Sequence, residues 1–557
     1  MSAVYQFKPH ERPIIPGSPF NPEHPLGRMI AYGAIGIVAG LTGGLGNTLV
    51  TSNLAYVQGT LGLTAEQAAW IPGVYVATNV CANLILVKFR QEFGLRLFAR
   101  LVLVGYIVVT LTHLFVHSFW SVLLVRAMSG IVAAGLTTLG FLAWFQAMPA
   151  PKRLFGIILG VGVPQLAIPL SRVMAPSLLE WGDWRMTYDL ELGLALLTLA
   201  ALLLLPLPPS ERTKVFEPAD FATMALLFPG VGLMCGVLAL GRTVWWTDVA
   251  WLGWAAIGAV LLIGAAVLLE HWRFNPLLRT DFLTQHAVLR ICALAFLIRI
   301  VLSEQTFGNV GLLSSLGFGT QQVRWLYAVV MLASVAGIAI SLVTFRPATP
   351  ARLIQLACLM TAIAAFMDSR ATNLVGPAQL YLSQALVGFA AILFIGPAMI
   401  IGISRALLNG PSSFISWVVV FLATQNLGGL AGSALWGTLQ TIRERYHSQV
   451  LVEQITAANP LDVNRLSTIV QQLGGTVSDP ALRTAQAAAL IGRQVAREAN
   501  ILAFNDIFLM IGFSASLLFL WSVAIELRMR RAGQISPVVR FGQTVARLGA
   551  SHPEGRE

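Results

Sequence analysis

The chain has 557 residues, of which 56% are hydrophobic and only 11% charged, with a mean hydropathy of +0.74 and a formal charge of +11. An ordinary soluble domain carries roughly 25% charged residues, so water is excluded as the main solvent and the lipid bilayer is the expected surrounding. The excess positive charge does not indicate nucleic acid as a partner. Its arginines stand at segment ends rather than in basic runs with interleaved aromatics.

Residues 1–28 hold six prolines and no apolar core. They predict a disordered cytoplasmic tail and not a cleavable signal peptide. A bilayer core needs about 20 apolar residues per helix. Spans are predicted near 29–57, 68–87, 98–116, 119–148, 154–176, 185–206, 220–241, 249–269, 287–308, 324–345, 352–369, 375–404, 413–440 and 501–525. Alternate links, together with both tails, carry 23 Lys and Arg, and the opposite links, leaving out 441–500, carry 4. This asymmetry places both termini in the cytoplasm of a multi-pass protein.

Small residues recur four apart at Gly36 and Gly40, at Gly428 and Gly432, and at Gly429 and Ser433. Such faces let helices approach closely where lipid offers no hydrophobic drive. Pro72, Pro164, Pro169, Pro229 and Pro397 mark kinks within spans. The hydrophilic insert 441–500 predicts short amphipathic helices around turns at Asn459-Pro460 and Gly474-Gly475.

Several motifs occur in a particular order. Ala69-Trp70-Ile71-Pro72-Gly73-Val74-Tyr75 opens the second span, and Phe93-Gly94-Leu95-Arg96 follows it. Leu124-Val125-Arg126-Ala127-Met128-Ser129-Gly130 lies in the fourth span, and Trp184 precedes Tyr188-Asp189-Leu190-Glu191-Leu192-Gly193 in the sixth. Gln425-Asn426-Leu427-Gly428-Gly429 and Phe504-Asn505-Asp506-Ile507-Phe508 mark the last two spans. From about residue 30 to 525 the chain resembles the drug:proton antiporter-2 (EmrB/QacA-like) family of the major facilitator superfamily.

The resemblance implies an all-α integral membrane fold. It comprises an N-terminal six-helix bundle at 29–206, two linking transmembrane helices at 207–269, and a C-terminal six-helix bundle at 270–525 that contains the insert, before a cytoplasmic C-tail at 526–557. It further implies proton-coupled efflux of small amphipathic compounds from a bacterial inner membrane, with a periplasmic membrane-fusion adaptor and an outer-membrane channel as partners. The sequence departs from that family in three places. The usual acid near the end of the first span is replaced by Gly46 or Asn47, and Ser129 stands where the fourth-span motif has Gln. The fifth-span signature reads Ala167-Ile168-Pro169-Leu170-Ser171-Arg172-Val173, without its paired glycines.

A charge at a helix centre costs roughly 2.5–3.5 kcal/mol on insertion scales, so each one demands a partner or a cavity. Arg126, matching the family's arginine, is the leading candidate for proton coupling. Asp189 and Glu191 are two apart and so about 200° apart around a helix, which lets only one face inward. Arg299 and Glu304 lie about 18 Å and 25 Å into the ninth span at 1.5 Å per residue. Five residues apart, they are not a good intrahelical bridge. Glu304 joins the proton-coupling candidates, while Arg299 is placed to meet an acid of the other bundle or an anionic substrate. Arg172 either snorkels outward or pairs with Asp189 or Glu191, and Asp506 caps or anchors the last helix. Trp70, Tyr75, Asn79, Gln425 and Asn426 are candidates to line a cavity with Arg299, the interfacial belt being the alternative for Trp70.

No cofactor or metal site is expected. His113 and His117 lack the Glu of a zinc helix, and there is no phosphate-cradling loop or nucleophile elbow. Cys81, Cys235, Cys292 and Cys358 lie singly in apolar stretches. Two alternatives remain: a dedicated exporter or importer of one metabolite, and a polytopic membrane transferase or receptor, which would need a catalytic constellation or a large soluble domain.

Overall fold

The computed structural model describes Glu11 and residues 17–149, 152–182, 184–456 and 458–550. Among these, fourteen helices are long and apolar enough to cross a membrane. We label them α1 Leu26–Ser52, α2 Ala65–Phe93, α3 Leu95–His113, α4 Phe119–Ala147, α5 Arg153–Glu180, α6 Met186–Leu204, α7 Pro218–Leu240, α8 Ala250–His271, α9 His286–Ser315, α10 Thr320–Thr344, α11 Ala351–Asp368, α12 Pro377–Leu408, α13 Ser412–Gln454 and α14 Pro480–Arg531. Helices satisfy every backbone group internally, which hydrocarbon demands. Their ends follow local chemistry. Thr64 and Gln67 form a capping box at the start of α2. Gly94 turns the chain into α3 with φ +84, a left-handed conformation that explains the glycine of Phe93-Gly94-Leu95-Arg96.

Helices α1 to α6 pack chiefly with one another, as do α9 to α14. The halves meet where α5 runs beside α10 and α12, and where α2 runs beside α13. Small residues set the close approaches. A Cβ on Gly36 would stand 2.8 Å from the Trp144 indole of α4, and one on Gly140 would stand 3.0 Å from the Gly40 backbone. In the other half a Cβ on Gly432 would meet Ser303 Oγ of α9 at 2.3 Å. Pro164 interrupts α5 with a short 3-10 turn at Val163–Leu166.

Of the extra pair, α7 packs on the outer side of α2 and α8 packs on α7. An ion cluster fastens the pair at the face that carries the termini. Lys88 of α2 donates to Asp220 at 2.8 Å, and Arg273 reaches Asp220 at 2.7 Å, Glu217 at 2.8 Å and Glu270 at 2.6 Å. Burial works against the Arg273 charge, but its hydrogen bonds to three carboxylates outweigh that and hold its proton more firmly than usual. The bond from Arg273 likewise holds the Glu217 carboxyl below the usual glutamate range.

Two expectations need correction. Most of the insert 441–500 is not short helices: α13 continues to Gln454 and α14 begins at Pro480, with one short helix, Pro460–Gln472, between them. Nothing breaks either helix as it leaves the apolar zone. Asp506 of α14 ties the pair together, accepting from Arg443 Nε at 2.6 Å and lying 2.7 Å from His447 Nε2. In the tail 1–28, residues 1–10 and 12–16 lie outside the described residues, but the disorder expected there does not reach 17–28. Pro19 bridges Ser210, Gln146 donates to the Phe20 carbonyl, and α1 already starts at Leu26. The C-tail contains a further helix, Pro537–Ala550, and residues 551–557 lie outside the described residues.

Candidate functional site

A cavity of about 590 Å³ lies between the halves, lined by α1, α2, α4 and α5 on one side and by α9, α12 and α13 on the other. Its walls are mostly apolar, with Phe141, Phe145, Phe414 and Met399 among them. Asn47, Asn79, Gln425 and Asn426 supply amide groups, and Asn426 Nδ2 donates to Asn79 Oδ1 at 3.1 Å across the interface between the halves. An apolar surface with a few convergent polar groups is the usual make-up of a small-molecule site.

Behind one wall Arg126 is fully buried. It donates to the Gly46 carbonyl at 2.7 Å and to Asn47 Oδ1 at 2.8 Å, and its guanidinium lies 4.5 Å from the centre of the Tyr75 ring. Glu191 of α6 points at the same spot, accepting from the Tyr106 hydroxyl at 2.5 Å. A Cβ on Gly46 would stand 2.6 Å from that hydroxyl and 2.8 Å from Glu191 Oε1. The glycine in α1 therefore leaves room for a carboxylate that arrives from α6. His113 stacks on Tyr188 nearby, with ring centres 4.1 Å apart.

The other half carries a cluster at matching depth. Arg126 is the eighth residue of α4, and Gln384 is the eighth of α12, the fourth helix of its own half. Gln384 Nε2 donates at 2.8 Å to Glu304 of α9 and at 2.8 Å to Asp368 of α11, and the two carboxyls lie within hydrogen-bonding reach of each other. All three side chains are buried, and Gln384 Oε1 has no partner. The cluster joins three helices that a rocking motion would have to move together.

The structure brings Tyr75, Asn79, Arg299, Gln425 and Asn426 to the cavity wall. Trp70 is not there. It packs edge-on against α7, where a Cβ on Gly236 would stand 2.3 Å from it, because the extra pair covers that face of α2. Arg172 does not pair with Asp189 or Glu191. It turns into the cavity and lies 5.0 Å from the centre of the Tyr327 ring of α10. Of the acidic pair in α6, Glu191 faces inward and Asp189 is exposed on the opposite side, as their spacing requires.

Sequence reasoning missed Tyr106, Asp368 and Gln384, and it treated Arg90, Arg153 and Lys88 only as link charges. A lone Asp at the end of an otherwise apolar helix was the available signal for Asp368. Tyr106 and Gln384 carry no signal apart from a polar group at a depth where hydrocarbon would leave it unsatisfied.

The sequence profile of the Major Facilitator Superfamily matches residues 36–442, most of the chain. The chain belongs to the major facilitator superfamily. Superfamily membership and the paired-bundle architecture make it a membrane transporter. A comparison with curated proteins returns no match. Among solved structures it is similar in fold to the human organic anion transporter MFSD10 (TETRAN), at 15% identity and a TM-score of 0.51, covering 88% of this chain and 100% of that one. The tetrameric structure of PepTSo2 gives 13% identity and a TM-score of 0.53, covering 90% and 99%. A POT family transporter in complex with 5-aminolevulinic acid gives 15% and 0.51, covering 92% and 99%. At these identities superfamily members share a fold and nothing narrower.

Proposed function

We propose that this superfamily member is a proton-coupled secondary transporter that moves small amphipathic compounds out of the cytoplasm by alternating access. The observation that carries the reading is Asn47, which lines the cavity and also accepts a hydrogen bond from Arg126. A proton arriving at or leaving Glu191 changes what Arg126 must balance, and that change is one hydrogen bond from the substrate. The buried Glu304, Asp368 and Gln384 provide a second place in the other half where charge is held out of the cavity. Rocking of the halves about this central site, with α2 and α13 on one seam and α5 with α10 and α12 on the other, supplies the access change.

The likeness to the 14-span drug:proton antiporter family supports efflux, a bacterial inner-membrane location and cytoplasmic termini. The projecting pair formed by α13 and α14 supports contact with a periplasmic membrane-fusion adaptor that leads to an outer-membrane channel. The test is transport by the full-length protein in inverted vesicles with an imposed pH gradient. Wild type is expected to accumulate substrate only with the gradient, and Arg126→Ala and Glu191→Gln to lose that dependence. Equal accumulation with and without the gradient in wild type would end the coupling reading.

A further inference from the structure

We propose that the central cavity takes an amphipathic organic anion, a compound with an aromatic or aliphatic body and a carboxylate or sulfonate group. This rests on reading the cavity as the transport site and names its substrate class. Four arginines line it: Arg90 at the inner end of α2, Arg153 at the start of α5, Arg172 further along α5 and Arg299 in α9. Among the described residues, no Asp or Glu lines it. The three buried acids of the coupling clusters, Glu191, Glu304 and Asp368, are set behind the walls and do not lie on them.

Two of these cations belong to different halves and have no carboxylate partner among the described residues. Arg172 has the face of Tyr327. Arg299 lies along α13, where Gly428 and Gly429 leave room for it: a Cβ at either position would stand 3.0 Å from its side chain. Side chains on those two positions would block the guanidinium from the cavity wall. Arg90 is buried at 5% exposure with Nε unpaired, and Arg153 Nε is also without a partner. Arg153 is the least free of the four, since it donates weakly to the Asn21 carbonyl at 3.4 Å and feels Glu23.

Cations inside a membrane are costly and are normally paired or turned to water. A cavity that keeps four of them, has no acid among its described lining residues and is otherwise apolar or neutral-polar repels a lipophilic cation and welcomes an anion whose body fits the phenylalanines. The fork geometry of guanidinium suits carboxylate and sulfonate oxygens. Arg172 and Arg299 come from opposite halves and line one cavity, so an anion that engages both would draw the halves together, whereas an empty cavity leaves two like charges on its walls without a counter-ion. That gives the substrate differential affinity for a closed state, which any ligand-driven conformational change requires.

The experiment is isothermal titration of the purified full-length protein in lipid nanodiscs, without a pH gradient, using three probes of one shape: 2-naphthoate, 2-naphthamide and 2-naphthylmethylammonium. Naphthoate is expected to bind at least about tenfold more tightly than the amide, and the ammonium not to bind, with Arg299→Gln and Arg172→Gln each weakening naphthoate about tenfold or more and Arg299→Lys recovering part of the loss. Equal binding of the ammonium, no binding of naphthoate, or naphthoate binding indifferent to both glutamine variants would overturn the proposal. The three-probe comparison on wild type stands even if a variant fails to fold. Because no gradient is present, anion binding with no gradient-driven transport would refute only the coupling reading, and gradient-driven transport of the ammonium would refute only the anion reading.

Discussion

A β-carbon on Gly46 of α1 would stand 2.8 Å from Oε1 of Glu191 of α6, so the space a side chain on α1 would need already holds a carboxylate from another helix. Gly46 of α1 and Glu191 of α6 thus share one place in the structure next to the carbonyl to which Arg126 donates. This relationship can be exchanged experimentally. Gly46→Asp alone should impair folding or transport, because the new side chain collides with Glu191 and Tyr106. Glu191→Ala should lose gradient-driven transport. The double substitution should regain part of it in proteoliposomes with an imposed pH gradient. A double variant no better than Glu191→Ala would show that position, and not merely the presence of an acid, decides coupling.

The cluster in the other half invites a graded test. Asp368→Asn keeps a polar group beside Gln384, whereas Asp368→Leu leaves the Gln384 amide without one of its two acceptors. The leucine variant should cost about 1–3 kcal/mol more stability than the asparagine variant. Thermal unfolding in detergent distinguishes the two, and identical melting temperatures would mean that the hydrogen bond contributes nothing.

The ion cluster that fastens α7 and α8 gives a larger effect. Arg273→Met removes the cation shared by Asp220 and Glu270, both almost fully buried, and leaves them facing each other with Lys88 alone. Removing one partner of a buried ion pair costs about 3–5 kcal/mol. Limited proteolysis of the link between α6 and α7 should then quicken before the rest of the protein unfolds.

Stability should also depend on acidity at that cluster. The Glu217 carboxyl is held below its ordinary value by the bond from Arg273, so its contribution is present in full above the unfolded value of about 4.3 and is lost as pH falls through the lower folded value. Melting temperatures of wild type should therefore decline more steeply below that pH than those of Glu217→Gln. Parallel curves would remove Glu217 as a source.

The close approach of α9 and α13 makes a further test. Gly432→Ala would press a methyl group onto Ser303 Oγ and the Ile300 carbonyl, and that carbonyl already accepts from Trp436 Nε1 at 2.8 Å. Overpacking of this kind costs about 1–3 kcal/mol. Trp436 fluorescence should shift as its hydrogen bond lengthens, and Gly475→Ala, at a glycine with open space around it, should be silent.

Much of the architecture was legible because a bilayer imposes one rule on every residue. Fourteen apolar runs could hardly be anything but helices, and Arg126 had to be special because nothing else in its helix is charged. That only one of Asp189 and Glu191 could face the bundle followed from their spacing, but that it is Glu191 came from the structure. What could not be read were relationships among helices far apart in sequence. Arg172 sits within reach of two acids along the chain, yet α10 offers it a tyrosine ring. Asp368 and Glu304 are 64 positions apart, and only the packing of α9, α11 and α12 makes them one group. The insert was misjudged for a different reason: amphipathic periodicity marks a helix but not where it joins its neighbour, so α13 and α14 looked shorter than they are.

The length of α14 has a mechanical consequence. With 52 residues it runs about 78 Å at 1.5 Å per residue, more than twice the hydrocarbon thickness of about 30 Å. About 20 residues of it, some 30 Å, project past the apolar zone beside α13. Asp506 clamps the two helices at the base of that projection. A tilt of about 10° in the C-terminal half would sweep the tip through about 5 Å, a displacement larger than most side chains make. The projection thus acts as a pointer rigidly fixed to one half, making the conformation of the core visible at a distance to anything that touches its end.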